Sequence, residues 1–116
     1  MAIRILTLSG GGIRGIFQAV FLREISLQLQ SPLREHFDLI AGTSTGAIVA
    51  LGVALNIDLK KIVGLFEDDG FQIFPKSTRV SRQRLASYAC RGPAYKQEPL
   101  RRILREVFTD KHGSQL

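Results

Sequence analysis

Two apolar runs in this chain stop abruptly at glycine, and the pattern after each changes from the period of a strand to that of a helix. Residues 3–8, Ile-Arg-Ile-Leu-Thr-Leu, predict a strand. From Ile16 onward Phe17, Val20, Phe21, Ile25 and Leu29 recur at helical spacing until Ser31-Pro32 breaks the pattern. That predicts a helix with those five side chains in the core. The arrangement is repeated by an apolar strand over 37–41 and a helix of small residues over 47–55. Further helices are expected over 59–67 and 99–108, and a third strand near 71–74. In the last helix Leu100, Ile103, Leu104, Val107 and Phe108 share a side, Arg101, Arg102 and Arg105 occupy others, and Pro99 suits the first turn. Alternating strands and helices, with strand runs that read as buried on both faces, predict an α/β domain with a parallel sheet flanked by helices.

Both strand-to-helix junctions carry candidate chemistry. The first is Ser9-Gly10-Gly11-Gly12-Ile13-Arg14-Gly15. Three successive glycines bare a row of backbone N–H groups at the positive end of a helix, which suits the loop to a negative charge. The second is Gly42-Thr43-Ser44-Thr45-Gly46. A tight turn there holds Ser44 in a strained conformation with its hydroxyl projecting from the sheet, and the flanking glycines relieve the crowding. The plainer reading of such a pentapeptide is a close strand–helix packing point. In serine acyl transfer the oxyanion is held partly by the N–H after the nucleophile, here Thr45, and partly by donors from a separate glycine-rich loop. Gly10, Gly12 and Gly15 also satisfy a dinucleotide fingerprint, but that motif needs an acidic residue at the end of the second strand. Glu35 and Asp38 instead precede that strand. No Gly-Lys-Ser/Thr follows the glycines, so a Walker phosphate loop is excluded as well.

In these two motifs, their order and their spacing, the chain resembles the patatin-like phospholipases. The stretch 73–75 and the segment 95–110 add support. The resemblance implies an α/β fold and a lipid acyl hydrolase of the phospholipase A type. It makes Ser44 the nucleophile, the backbone around Gly10, Gly11 and Gly12 together with Thr45 the oxyanion hole, and Arg14 a basic substrate-binding residue beside it. Many members carry Asp where this chain has Ser9, a small departure because the loop acts through its backbone. The family pairs its serine with an aspartate in an Asp-Gly-Gly or Asp-Gly-Ala motif, and none is assignable here. Asp69-Gly70 is the only Asp-Gly pair and reads as a helix stop. A triad through Asp58, Asp68 or Asp110 would need His112, which lies in a polar tail; His36 precedes the second strand. Both histidines read as exposed and structural. The expectation is that residues 1–116 are the N-terminal part of a single patatin-like phospholipase domain, with the dyad aspartate beyond them. The alternative is a noncatalytic lipid-binding or regulatory module.

Composition is that of a globular α/β chain: 116 residues, 45% hydrophobic. The apolar run 39–57 contains three hydroxyl residues and three glycines, which favours a buried helix over a membrane span. No secretory signal is evident, so the expected location is cytoplasmic, with the basic residues of 76–105 open to peripheral contact with a membrane. Cys90 is the single cysteine, so no internal disulfide forms, and neither a glycine elbow nor a base accompanies it. No metal or other cofactor is called for. Residues 1–75 carry six Lys/Arg against seven Asp/Glu, while residues 76–116 carry ten against three. Arg79, Arg82, Arg84, Arg91, Lys96, Arg101, Arg102 and Arg105 suit an anionic phospholipid surface, the plainer reading being a solvated basic face. Few aromatics accompany them, so a nucleic-acid partner is not expected.

Overall fold

The computed structural model describes residues 2–68, 70 and 97–109. Within them the order is strand β1 (Ile5–Leu8), a 3-10 turn (Gly12–Arg14), helix α1 (Gly15–Ser26), a 3-10 turn (Leu33–His36), strand β2 (Leu39–Gly42), then helices α2 (Thr45–Ala54), α3 (Leu59–Asp68) and α4 (Gln97–Phe108). β1 and β2 pair in parallel, with Ile5 opposite Leu39, Leu6 opposite Ile40, Thr7 opposite Ala41 and Leu8 opposite Gly42. A parallel pair needs a crossover, and α1 supplies it. The α/β class expected from the sequence is the one observed.

Side chains alternate across the sheet. Leu8 is buried and Leu6 and Ile40 pack against the core, whereas Ile5, Thr7, Leu39 and Ala41 are exposed. The described helices therefore cover one face, and the other face is open among the described residues, as in a sheet of which only two strands are described. The core is filled by Ala19 and Leu22 of α1, Val49, Ala50 and Val53 of α2, and Leu59, Ile62, Val63, Leu65 and Phe66 of α3. Small residues let α2 and α3 approach closely: a Cβ on Gly52 would lie 3.0 Å from Ile62 Cδ1. Leu100, Leu104, Val107 and Phe108 of α4 pack against the same core, and Arg101, Arg102 and Arg105 are exposed, as their spacing predicts.

The ends of α2 and α3 are set locally. Asn56 has φ 56°, its N–H donates to the Val53 carbonyl at 3.1 Å, and the Ile57 N–H donates to the Gly52 carbonyl at 2.8 Å. This is a Schellman closure with asparagine in the left-handed position. Asp58 then accepts the Lys60 N–H at 2.9 Å and caps α3, so this carboxylate has a structural task. Gly70 is itself helical rather than a stop.

Helix α1 corrects the sequence reading. Phe17 (74%), Val20 (37%) and Phe21 (57%) are exposed, while Ala19 and Leu22 are buried. The cause is at the start of the helix, where a Cβ on Gly15 would lie 2.8 Å from Thr45 Cβ and 3.2 Å from Phe66 Cζ. Gly15 must face inward for the two segments to touch, and that turns positions four and seven residues later inward with it. The expected strand near 71–74, and with it Asp69, Cys90, Asp110, His112 and the basic residues Arg79, Arg82, Arg84, Arg91 and Lys96, lie outside the described residues.

Phe66 is 1% exposed at the junction of α1, α2 and α3. Phe66→Ala is expected to destabilise the full-length protein by about 3–5 kcal/mol, measured as a shift of the urea midpoint. A loss under about 1 kcal/mol would show that this helix junction is not a packed core.

Candidate active site

The site begins where β2 runs into α2. The Thr43 N–H continues the sheet ladder to the Leu8 carbonyl at 3.1 Å, and the N–H groups of Gly46 and Ala47 close the turn onto the carbonyls of Thr43 and Ser44, each at 2.9 Å. Between them Ser44 adopts φ 53° and ψ −126°. An L residue is pushed out of this region by its own Cβ, at a cost of about 1–3 kcal/mol. Ser44 is exposed and its side chain makes no capping hydrogen bond to α2. The hydroxyl thus projects from the turn without being used by its own helix.

Two glycines make the turn possible for reasons of space. A Cβ on Gly42 would run into the Gly46 carbonyl. One on Gly46 would run into the Leu8 carbonyl and lie 2.7 Å from the Ser9 oxygen. Backbones of β1, β2 and α2 therefore meet with nothing between them, and the plainer packing-point reading holds together with the serine geometry.

That approach also brings in the glycine-rich loop. A Cβ on Gly10 would lie 2.9 Å from Ser44 Cβ, 3.1 Å from the Thr43 carbonyl oxygen and 3.6 Å from Ser44 Oγ. The two motifs, separate in sequence, thus form one surface. Gly12 has φ 61°, in the region that favours glycine. The Arg14 N–H and Nε both donate to the Gly11 carbonyl, at 3.3 and 3.4 Å. Arg14 is exposed, and so brings positive charge to the loop while closing its turn. The Gly10 N–H donates to Thr43 Oγ1 at 3.2 Å, and Gln18 Nε2 donates to the Ser9 carbonyl at 2.6 Å. Thr43 and Gln18 were not singled out from the sequence. The available signal was a glutamine one turn into the helix that follows a glycine loop, between Phe17 and Ala19.

Thr45 is 1% exposed, wedged against Gly15, and its buried hydroxyl has no hydrogen-bond partner among the described residues. Its N–H opens α2, where a helix provides no acceptor of its own. An open depression of 440 Å³, lined by Thr7, Leu8, Ser9, Ala41, Gly42 and Thr43, lies beside the two loops. This is the carboxyl end of the strands, where open α/β sheets bind ligands.

Other titratable residues weighed in the sequence have tasks elsewhere. Asp38 accepts the Arg4 N–H at 2.7 Å and faces Arg4 Nε at 3.7 Å, at the opposite end of the sheet. His36 Nε2 lies 2.9 Å from Ser31 Oγ and is half-buried, more enclosed than expected. Among the described residues no cluster of three His, Cys, Asp or Glu side chains is arranged to hold a metal, and no helix is long and apolar enough to cross a membrane.

A model of the patatin-like phospholipase family matches residues 6–116. The chain belongs to that family. It is 47% identical over 70 residues to a cGAMP-activated phospholipase of Pseudomonas aeruginosa, covering 60% of this chain and 21% of that protein. A cGAMP-activated phospholipase of Escherichia coli is 38% identical over 113 residues, covering 91% and 31%. Phospholipase A I of Arabidopsis thaliana is 33% identical over 132 residues, covering 98% and 10%. The chain thus spans less than a third of the length of each of these patatin-like relatives. No solved structure matches it.

Gly46→Ala in the full-length protein is expected to cost about 1–3 kcal/mol, because its Cβ meets two backbone carbonyls that cannot move independently. The check is chemical denaturation. An unchanged midpoint would refute the backbone contact between α2 and β1.

Proposed function

We propose that Ser44 is the nucleophile of a lipid acyl hydrolase of the phospholipase A type. The observation that carries this reading is the strained backbone of Ser44, held with its hydroxyl against the glycine-rich loop. Membership of a phospholipase family supports the ester substrate.

In the proposed reaction Ser44 Oγ attacks the ester carbonyl carbon, and its proton passes to a carboxylate, the dyad aspartate expected outside residues 1–116. The carbonyl π electrons move onto oxygen. The N–H groups of Gly11, Gly12 and Thr45 hold that oxyanion, while Gly10, which the resemblance placed in the same hole, has its N–H on Thr43 Oγ1 and supplies the close approach to the serine. Collapse of the tetrahedral intermediate breaks the C–O bond, and the leaving lysophospholipid alkoxide takes the proton back. Water then adds to the acyl-serine by the same route and releases the fatty acid. Arg14 offers its charge to the phosphate or to the departing carboxylate. The exposed Arg101, Arg102 and Arg105 of α4 extend the reading to an anionic lipid surface. The site of action would be the cytoplasmic side of a membrane.

The test uses the full-length protein, phospholipid vesicles and a fluorophosphonate probe, with and without cGAMP because two bacterial relatives carry that activator in their names. Wild type should release fatty acid and take the label at Ser44. Ser44→Ala should lose the label and about 10⁴-fold or more in turnover. Retained turnover, or labelling at another residue, would overturn the assignment. Vesicle binding by wild type and variant alike, with neither turnover nor label, would instead establish a noncatalytic lipid-binding module.

A further inference from the structure

An oxyanion hole works because its donors are already aimed when charge develops, yet a run of three glycines is the most conformationally permissive segment a chain can contain. Something outside the run must hold it. The Ser9 carbonyl and the Gly10 N–H belong to a single peptide group, the one immediately before the bare glycine amides. Gln18 Nε2 donates to its oxygen at 2.6 Å, and Thr43 Oγ1 accepts from its nitrogen at 3.2 Å. The two side chains come from different elements, one from the first turns of α1 and the other from the residue before Ser44.

We infer that Gln18 and Thr43 are positioning residues that clamp the two poles of the Ser9–Gly10 peptide and thereby anchor the start of the glycine run that carries the amides of Gly11 and Gly12. Rotation of that peptide by half a turn would exchange the places of its N–H and C=O. The Ser9 carbonyl would then stand at Thr43 in place of the Gly10 N–H, and the Gln18 amide would lose its acceptor. The negative end of that carbonyl would then lie on the side of Thr43 and Ser44, where it opposes a developing negative charge. The clamp resists this rotation from both ends. Gly46 adds a steric limit on the same side, because a Cβ there would lie 2.7 Å from the Ser9 oxygen. Neither side chain is required to touch the substrate.

Thr43 is exposed and Gln18 is half-buried, so both can be altered with modest effect on the core. The inference rests on the reading of Ser44 as nucleophile, and the experiment separates the two. Full-length wild type, Gln18→Leu, Thr43→Val, Thr43→Ser and the double variant Gln18→Leu/Thr43→Val are assayed on a soluble chromogenic ester. Thermal unfolding and inhibition by a trifluoromethyl ketone, which forms a tetrahedral oxyanion on serine, are measured alongside.

Gln18→Leu and Thr43→Val should each lower kcat by about 10-fold to 100-fold, somewhat less than removal of a donor itself. KM should stay within about twofold, and ketone affinity should fall in parallel with kcat/KM. Thr43→Ser keeps the acceptor oxygen and should restore most of the rate. Because both side chains act on one peptide, the double variant should lose much less than the product of the single losses. Wild-type activity with single variants equal to wild type would overturn the clamp and leave the nucleophile assignment standing. So would loss of rate that follows thermal stability alone, or losses that multiply in the double variant. Absence of Ser44-dependent turnover in wild type would overturn the hydrolase reading itself, and the clamp as a catalytic device with it.

Discussion

The first turn of α2 rests directly on the end of β1, with the α-carbon of Gly46 against the carbonyls of Leu8 and Ser9. Most of the site follows from that contact. It leaves no room for a side chain at position 46, and the crowding beneath it leaves none at position 42. The chain between these glycines must reverse in three residues, which forces Ser44 into its positive φ. Strain of about 1–3 kcal/mol persists only where the surroundings over-determine it. Here they are the ladder bond from Thr43, the closed end of α2 at Asn56 and the tight packing of α2 on α3.

A second close contact, at the start of the crossover helix α1, sets the orientation of that helix. Gly15 has to sit flat against Thr45 and Phe66, so α1 is docked by its first residue and not by its largest ones. Loop and helix then act as one body. The glycine-rich segment enters at Gly10 beside Ser44, turns through Gly12 and Arg14, and is tied back by hydrogen bonds to the Gly11 and Ser9 carbonyls. A segment whose composition favours freedom is thus fixed by neighbours on both sides.

How much of this was legible in the sequence depends on how local each signal is. The two strand-turn-helix units depend on residues within a few positions of one another, and both junctions lie where the sequence predicts them. The orientation of α1 was not, because helical spacing shows which residues share a side but not which side meets the sheet. Phe17, Val20 and Phe21 share a side, yet the inward direction is set by a contact with residue 45. The bonds of Thr43 and Gln18 are hidden from the sequence for the same reason, since each reaches a peptide more than eight residues away. Asp58 and His36 were weighed as chemical groups, and a cap and a serine contact account for them.

The uncovered face of the sheet has a consequence for how these residues behave in water. Ile5 and Leu39 are each 53% exposed and stand opposite one another across the strand pair, and each strand has an outer edge with no neighbour among the described residues. An apolar surface beside unpaired backbone groups is the arrangement from which chains add to one another edge to edge. A segment or chain that paired with either edge would therefore cover Ile5 and Leu39 together with the backbone groups beside them.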